Sequence, residues 1–247
     1  MTACSLPTVK VAGWSAFAPR DSLSTCGTSL PQEVRALFSD GPGKLSFVDP
    51  LHRRRMSLLD RLAMSAAYEC LDQARTRPSE VRLVFGSRHG ETGVLIGLLK
   101  SIHQGDALSP TAFSVSVHHA FTGFFSMIAG NKHPSRTIAA GEDTFCCGFL
   151  EAVGQLMEDE TPVLLVTAED ALPMPFNPLV RPPVPAHAAA LLLTRAGPGD
   201  RGISLSVVSE GGHNVSGMPV GDFLFWHETK GSNLRLSFGS RTWAWAR

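Results

Sequence analysis

Residues 113–154 read FSVSVHHAFTGFFSMIAGNKHPSRTIAAGEDTFCCGFLEAVG, and this stretch decides the fold. Small and aromatic residues over 119–129 predict a close-packing helix, which Gly130 and Pro134 then break in a turn. Residues 136–140 predict a short strand, and residues 143–157 continue without a breaker as a second helix. Between strand and helix stands an acidic elbow of Gly141, Glu142 and Asp143. A helix N-terminus leaves backbone N–H groups unpaired and favours negative charge, so carboxylates are electrostatically comfortable there.

Outward from this stretch, helical and strand patterns alternate. Residues 8–17 predict a first strand, followed by a Gly/Pro/Ser-rich excursion to about residue 51. Leu58, Leu62, Ala66, Cys70 and Ala74 make the i, i+4 stripe of an amphipathic helix over 57–74, which Pro78 ends. Residues 81–85 form a short apolar run stopped by Gly86, and 93–103 read as a helix. Residues 162–167 (PVLLVT) predict a buried strand, and a proline-rich loop over 173–185 follows. Residues 186–194 (AHAAALLLT) and 202–209 then read as two closing strands. This order predicts an α/β fold, a mixed, mostly parallel five-stranded sheet covered by helices on both faces, with the closing pair as an antiparallel edge. One domain is expected over 1–247, with its core at about 8–209. The tail over 211–247 carries Phe223, Phe225, Trp226, Trp243 and Trp245, whose first reading is to cap the core and whose second is to face a partner.

Composition narrows the classes. A chain of 247 residues with 43% hydrophobic content can build a full core. Lys+Arg 22 cancels Asp+Glu 22, so no basic excess points to nucleic acid or an anionic membrane. The five cysteines (Cys4, Cys26, Cys70, Cys146, Cys147) are odd in number and lack C-x-x-C spacing, which argues against a disulfide framework or a zinc knuckle. His118 and His119 are adjacent and point apart on either a strand or a helix, so no metal is expected. Gly86, Gly90 and Gly93 fit neither a dinucleotide fingerprint nor a P-loop, so no cofactor is expected. Without a signal-peptide pattern or an apolar run long enough to span a bilayer, the expected location is the cytoplasm.

The ordered set of segments resembles the N-terminal half of the β-ketoacyl synthase, or thiolase-like, fold. RRRMSLLDRLAMSAAYECL is similar to the helix leading into that sheet, and GSRHGETG (86–93) to its strand-then-glycine segment. The stretch from 114 to 145 resembles the approach to the nucleophile elbow, VLLVTAED (163–170) the following strand, and AHAAALLLTR the strand that closes the half. The resemblance implies that the residue in the place of the nucleophilic cysteine is Glu142, give or take one position, and that the histidines supplied by the family's second half are absent.

A cysteine at such an elbow works because the helix N-terminus lowers its thiol pKa and nearby N–H groups form an oxyanion hole. Glu142 would be a poor acyl carrier, since its product is a hydrolysable mixed anhydride. Asp143 reads as an ordinary N-cap of the following helix. Cys146 and Cys147 fall in the first turns of that helix and read as packing, with an active thiol served by His118, His119 or His187 as the alternative. In another variant Glu142 assists malonyl decarboxylation. The resemblance implies a catalytically silent, chain-length-factor-type subunit of type II fatty acid or polyketide-like synthesis, akin to those of aryl polyene (xanthomonadin-like) pigments. Its partners would be a full-length ketosynthase and an acyl carrier protein. Phe121, Phe124, Phe125 and Met127 are then tunnel or interface candidates, with core filling as the plain alternative. Thr137 and Ile138 are expected at the dimer seam. Arg53, Arg54 and Arg55 offer a patch for an acidic carrier protein, or simply a solvated face.

Overall fold

The amphipathic stripe over 57–74 becomes a 16-residue helix whose start is fixed by a capping box. Ser57 Oγ accepts from the Asp60 N–H at 3.0 Å, and the Asp60 carboxylate accepts from the Ser57 N–H at 3.2 Å. In this computed structural model the described residues are 6–25, 30–174, 176–177, 183–208 and 217–247. Cys4 and Cys26, part of the proline-rich loop and the start of the aromatic tail lie outside them.

The first part of the chain holds β1 (Val9–Ala18), α1 (Ser22–Thr25), α2 (Gln32–Arg35), β2 (Ser39–Asp40), α3 (Pro50–Arg55), α4 (Leu58–Gln73) and β3 (Arg82–Gly86). Next come α5 (Thr92–Gln104), α6 (Pro110–Ser114), α7 (Ala120–Ala129), β4 (Ser135–Ile138) and α8 (Thr144–Glu158). The last part is β5 (Val163–Glu169), β6 (His187–Arg195), β7 (Ser204–Val208), α9 (Pro219–Glu228), β8 (Asn233–Phe238) and β9 (Arg241–Ala246).

Among the described residues, six strands form one sheet in the order β2-β1-β6-β5-β3-β4, and three form a second in the order β7-β9-β8. In the large sheet β1–β2, β3–β4 and β3–β5 are parallel, whereas β6 runs antiparallel to both β1 and β5. The α/β class with a mixed, mostly parallel sheet is therefore as expected. The sheet has six strands rather than five, because the two residues of β2 pair with the end of β1.

The expected closing pair is corrected. β6 is an interior strand and β7 belongs to the other sheet, joined to β9. The reason is burial on both faces. β6 is buried at every residue before its last two, while in β7 only Leu205 is buried.

Pleating divides the core. Leu83, Phe85, Leu164, Val166 and Leu192 face α4 and α7, meeting Leu62, Leu71, Phe121 and Phe125. Val84, Leu165 and Leu191 face the other way, against Phe149, Phe223 and Trp245. The aromatic tail thus caps the core: Phe223, Trp226, Trp243 and Trp245 are buried, and Phe225 remains partly exposed.

Candidate functional site

β4 leads through Ala140 into a tight turn over Gly141–Asp143 and then into α8. Gly141 takes φ +61°, the left-handed conformation a side chain would resist, so the turn needs glycine there. Thr144 closes it: its Oγ1 donates to the Gly141 carbonyl at 2.7 Å and accepts from the Ala140 N–H at 3.0 Å.

Asp143 departs from its expected capping role. Its side chain makes no capping hydrogen bond. It accepts instead from Trp243 Nε1 at 2.8 Å and pairs with Arg241 at 2.5 Å, with its carboxylate almost fully buried. A charge-assisted pair outcompetes a weak cap, and both donors come from β9, far along the chain.

Glu142 is exposed and faces Arg88 at 3.9 Å. Cys146 is completely buried in α8, and burial followed by the charge of Asp143 pushes its thiol well above the usual cysteine range. Cys147 is half-buried and shifted the same way by the same causes. Both effects oppose the thiolate that catalysis requires. Among the described residues no hydrogen bond joins either thiol to a histidine. His119 is occupied elsewhere, with its Nδ1 2.8 Å from Thr137 Oγ1, and His118 packs on Gly90.

Beside the elbow opens a cavity of about 270 Å³. Its polar end comprises Arg88, Glu142, Thr144, Thr167, Glu169 and His187, and its apolar wall Phe145, Val184, Pro219, Val220 and Phe238. Burial raises the Glu169 carboxyl to about 7, although the N–H groups of Arg88 and His89 and the Ser87 hydroxyl donate to it. Burial lowers His187 to about 4, so this imidazole is neutral at physiological pH. Arg88 and Glu169 were missed as site residues; the acid that ends VLLVTAED is Asp170, and Glu169 stands just before it. A second pair, Asp60 and Glu91, meets at Ser57, whose Oγ donates to Glu91 at 2.8 Å. Burial raises Asp60 to about 7, and burial with the neighbouring Asp60 charge raises Glu91 to about 8.

The other expected residues scatter. Phe121, Phe124 and Phe125 are buried in the core, with Phe121 packed 4.8 Å from Phe85. Met127 is exposed. Thr137 and Ile138 lie half-buried in β4, an edge strand of the large sheet. Arg53 donates to the Leu45 carbonyl and Arg55 to Ser114 Oγ, so two of the three arginines brace local structure. Sequence reasoning also missed the exposed stripe of Leu95, Leu99 and Ile102 on α5. Among the described residues no three His, Cys, Asp or Glu side chains are grouped to hold a metal ion, and no helix is long and apolar enough to cross a membrane.

Comparison with known proteins bears on the family and the fold. No curated protein matches the chain. Among solved structures, 97% of the chain aligns with 99% of one described as "Ketosynthase (ApeO) in Complex with its Chain Length Factor (ApeC) from Xenorhabdus doucetiae", at 25% identity and a TM-score of 0.77. The ishigamide ketosynthase/chain length factor aligns over 82% of this chain and 68% of its own, at 15% identity and a TM-score of 0.57. A ketosynthase–acyl-carrier protein complex, AntDE:AntF, aligns over 84% of this chain and 70% of its own, at 17% identity and a TM-score of 0.59. The last two likenesses speak for the fold. The family described as "Beta-ketoacyl synthase, N-terminal domain" matches residues 29–246, and the chain belongs to it.

Proposed function

We propose that the chain is a single ketosynthase-like domain that has given up catalysis and serves as a chain-length-factor-type subunit of an active, full-length ketosynthase. The observation that carries this reading is the elbow. Where the resembled family displays a thiolate, this chain has a glycine turn, an exposed glutamate and a buried aspartate held by Trp243 and Arg241. The nearest thiol, Cys146, is sealed in α8. Support also comes from the likeness, over nearly the whole of both chains, to a structure described as a ketosynthase with its chain length factor.

In this reading the pair works in the cytoplasm, elongating acyl thioesters delivered by an acyl carrier protein, and the product class is an aryl polyene or similar polyketide-like chain. The free edge of β4, with Thr137 and Ile138, is the seam along which the partner's sheet continues. Edge strands present unpaired backbone groups suited to this kind of pairing. Met127 and the exposed stripe of α5 widen the contact, whereas Phe121, Phe124 and Phe125 act through packing. Arg54, the member of its cluster without a bracing role here, is the residue to test for carrier-protein contact.

The reading is tested by co-expressing the full chain with the ketosynthase encoded beside it, then sizing the product. A 1:1 heterodimer is expected, and Thr137→Pro should abolish it by removing a ladder donor from β4. A chain that purifies as a monomer or homodimer and ignores the ketosynthase would overturn the proposal.

A further inference from the structure

The cavity beside the elbow contains polar groups that the fold itself leaves unused. His187 is only 4% exposed, and its Nδ1 lies 2.8 Å from the Pro185 carbonyl. A carbonyl only accepts, so Nδ1 carries the proton and Nε2 presents a lone pair. Among the described residues that lone pair has no partner. The Thr167 hydroxyl, also 4% exposed, has none either.

β5 and β6 place these two groups together. Glu169 pairs with His187 and Thr167 with Ala189, so Thr167 and His187 are diagonal neighbours on one face of the sheet. Diagonal pairs stand roughly 7–8 Å apart at their Cα atoms, a gap that one planar polar head can bridge. Beyond them lies an apolar wall of Phe145, Val220 and Phe238.

Charge decides the kind of head. Arg88 is answered by Glu142, and the Glu169 carboxyl by the N–H groups of Arg88 and His89. Arg88 and Glu142 offset each other, and burial favours the protonated, neutral form of Glu169, so a carboxylate or ammonium buried here would be costlier than a hydrogen-bonded neutral group. The two open groups ask for a donor toward His187 and an acceptor toward Thr167. A carboxamide supplies both in one plane. An ester or thioester lacks the donor.

We propose that this cavity binds a small neutral amphiphile with a carboxamide head and a short apolar tail, with Thr167 and His187 reading the head and Phe145, Val220 and Phe238 holding the tail. A volume of about 270 Å³ suits a molecule with a chain of a few carbons. The proposal is independent of pairing with a ketosynthase, and the two can fail separately.

The test uses the full chain and three probes of equal length, hexanamide, hexanoate and hexylamine, by calorimetry and by ¹⁵N-histidine NMR. Hexanamide should bind about tenfold more tightly than either charged probe and should shift the His187 Nε2 resonance. Thr167→Val, which keeps the side-chain shape, should weaken hexanamide about fivefold. Val220→Trp should fill the cavity and abolish binding while a cooperative melting transition persists at a lower midpoint, since Val220 also packs in the core. The proposal is overturned if a charged probe binds most tightly, or if all three bind equally and ignore Thr167→Val. It is equally overturned if none binds up to roughly millimolar concentration.

Discussion

The elbow and the α5–α7 flank lie along the same third of the chain, and they are finished in opposite ways. At the elbow, groups that could react are tied into structure. Asp143 is held by Trp243 and Arg241, Thr144 closes the turn, and Cys146 is sealed at 0% exposure. On the flank, groups that could be buried are left out. Leu95, Leu99 and Ile102 are 45%, 55% and 58% exposed, and Phe113 and Met127 are 67% and 59%. Scattered exposed apolar residues are normal, but a stripe at i, i+4, i+7 marks a contact surface. The contrast teaches where the proposed silent subunit can be tested: its elbow is finished by packing, while its flank leaves apolar side chains open to a partner.

The largest effect expected is at the packed side. Phe149 packs edge-on or tilted against Phe223 at 5.3 Å, Trp245 at 5.9 Å and Phe145 at 6.3 Å between ring centroids. Phe149→Ala should cost about 3–5 kcal/mol in urea unfolding, separating the aromatic tail from the sheet it caps. Asp143→Ala should cost about 1–3 kcal/mol by stranding the buried Trp243 indole, the exposed Arg241 returning to solvent, and Asp143→Asn should recover part of it. An unchanged midpoint in Asp143→Ala would mean that β9 does not secure the elbow.

Titration sharpens the contrast at a third place. Burial raises the Glu91 carboxyl to about 8, so the folded chain keeps a proton that an unfolded glutamate releases above roughly pH 4. Its contribution to stability is therefore complete below that pH and is lost as pH climbs through about 8. Glu91→Gln should raise the melting temperature at pH 8.5 by ~2–4 °C, equivalent to about 1 kcal/mol, and the gain should fade toward pH 4. A gain that grows on acidification would reverse the sign. The smallest effect is expected on the flank. Leu99→Glu should change the stability of the chain by under about 0.5 kcal/mol, yet weaken pairing with a ketosynthase in a sizing assay. If it destabilises the chain as strongly as Phe149→Ala, the stripe is core and the contrast fails.

Much of this was legible in the chain itself. The helix over 57–74 was visible from its stripe and the strand at 162–167 from its unbroken apolar run, because each pattern is local. The elbow was visible as a strand, a glycine and a helix in sequence. The role of Asp143 was not legible, since its partners stand on β9 and local reasoning offered only a cap. The interior place of β6 could have been inferred from AHAAALLLT, which has no polar alternation, whereas a two-residue β2 has no signal at all. The stripe on α5 was hidden because VLIGLL is apolar all round, and only tertiary packing selects which side is covered. Arg88 and Glu169 came together through the register of parallel strands, which composition does not encode.

The most direct test of the silent elbow is elongation by the reconstituted complex carrying Cys146→Ala, Cys147→Ala and Glu142→Gln together. The expected result is a complex of unchanged stoichiometry that elongates carrier-bound acyl chains at the wild-type rate. A complex that assembles normally but no longer elongates would place chemistry on this chain and contradict its reading as a structural subunit.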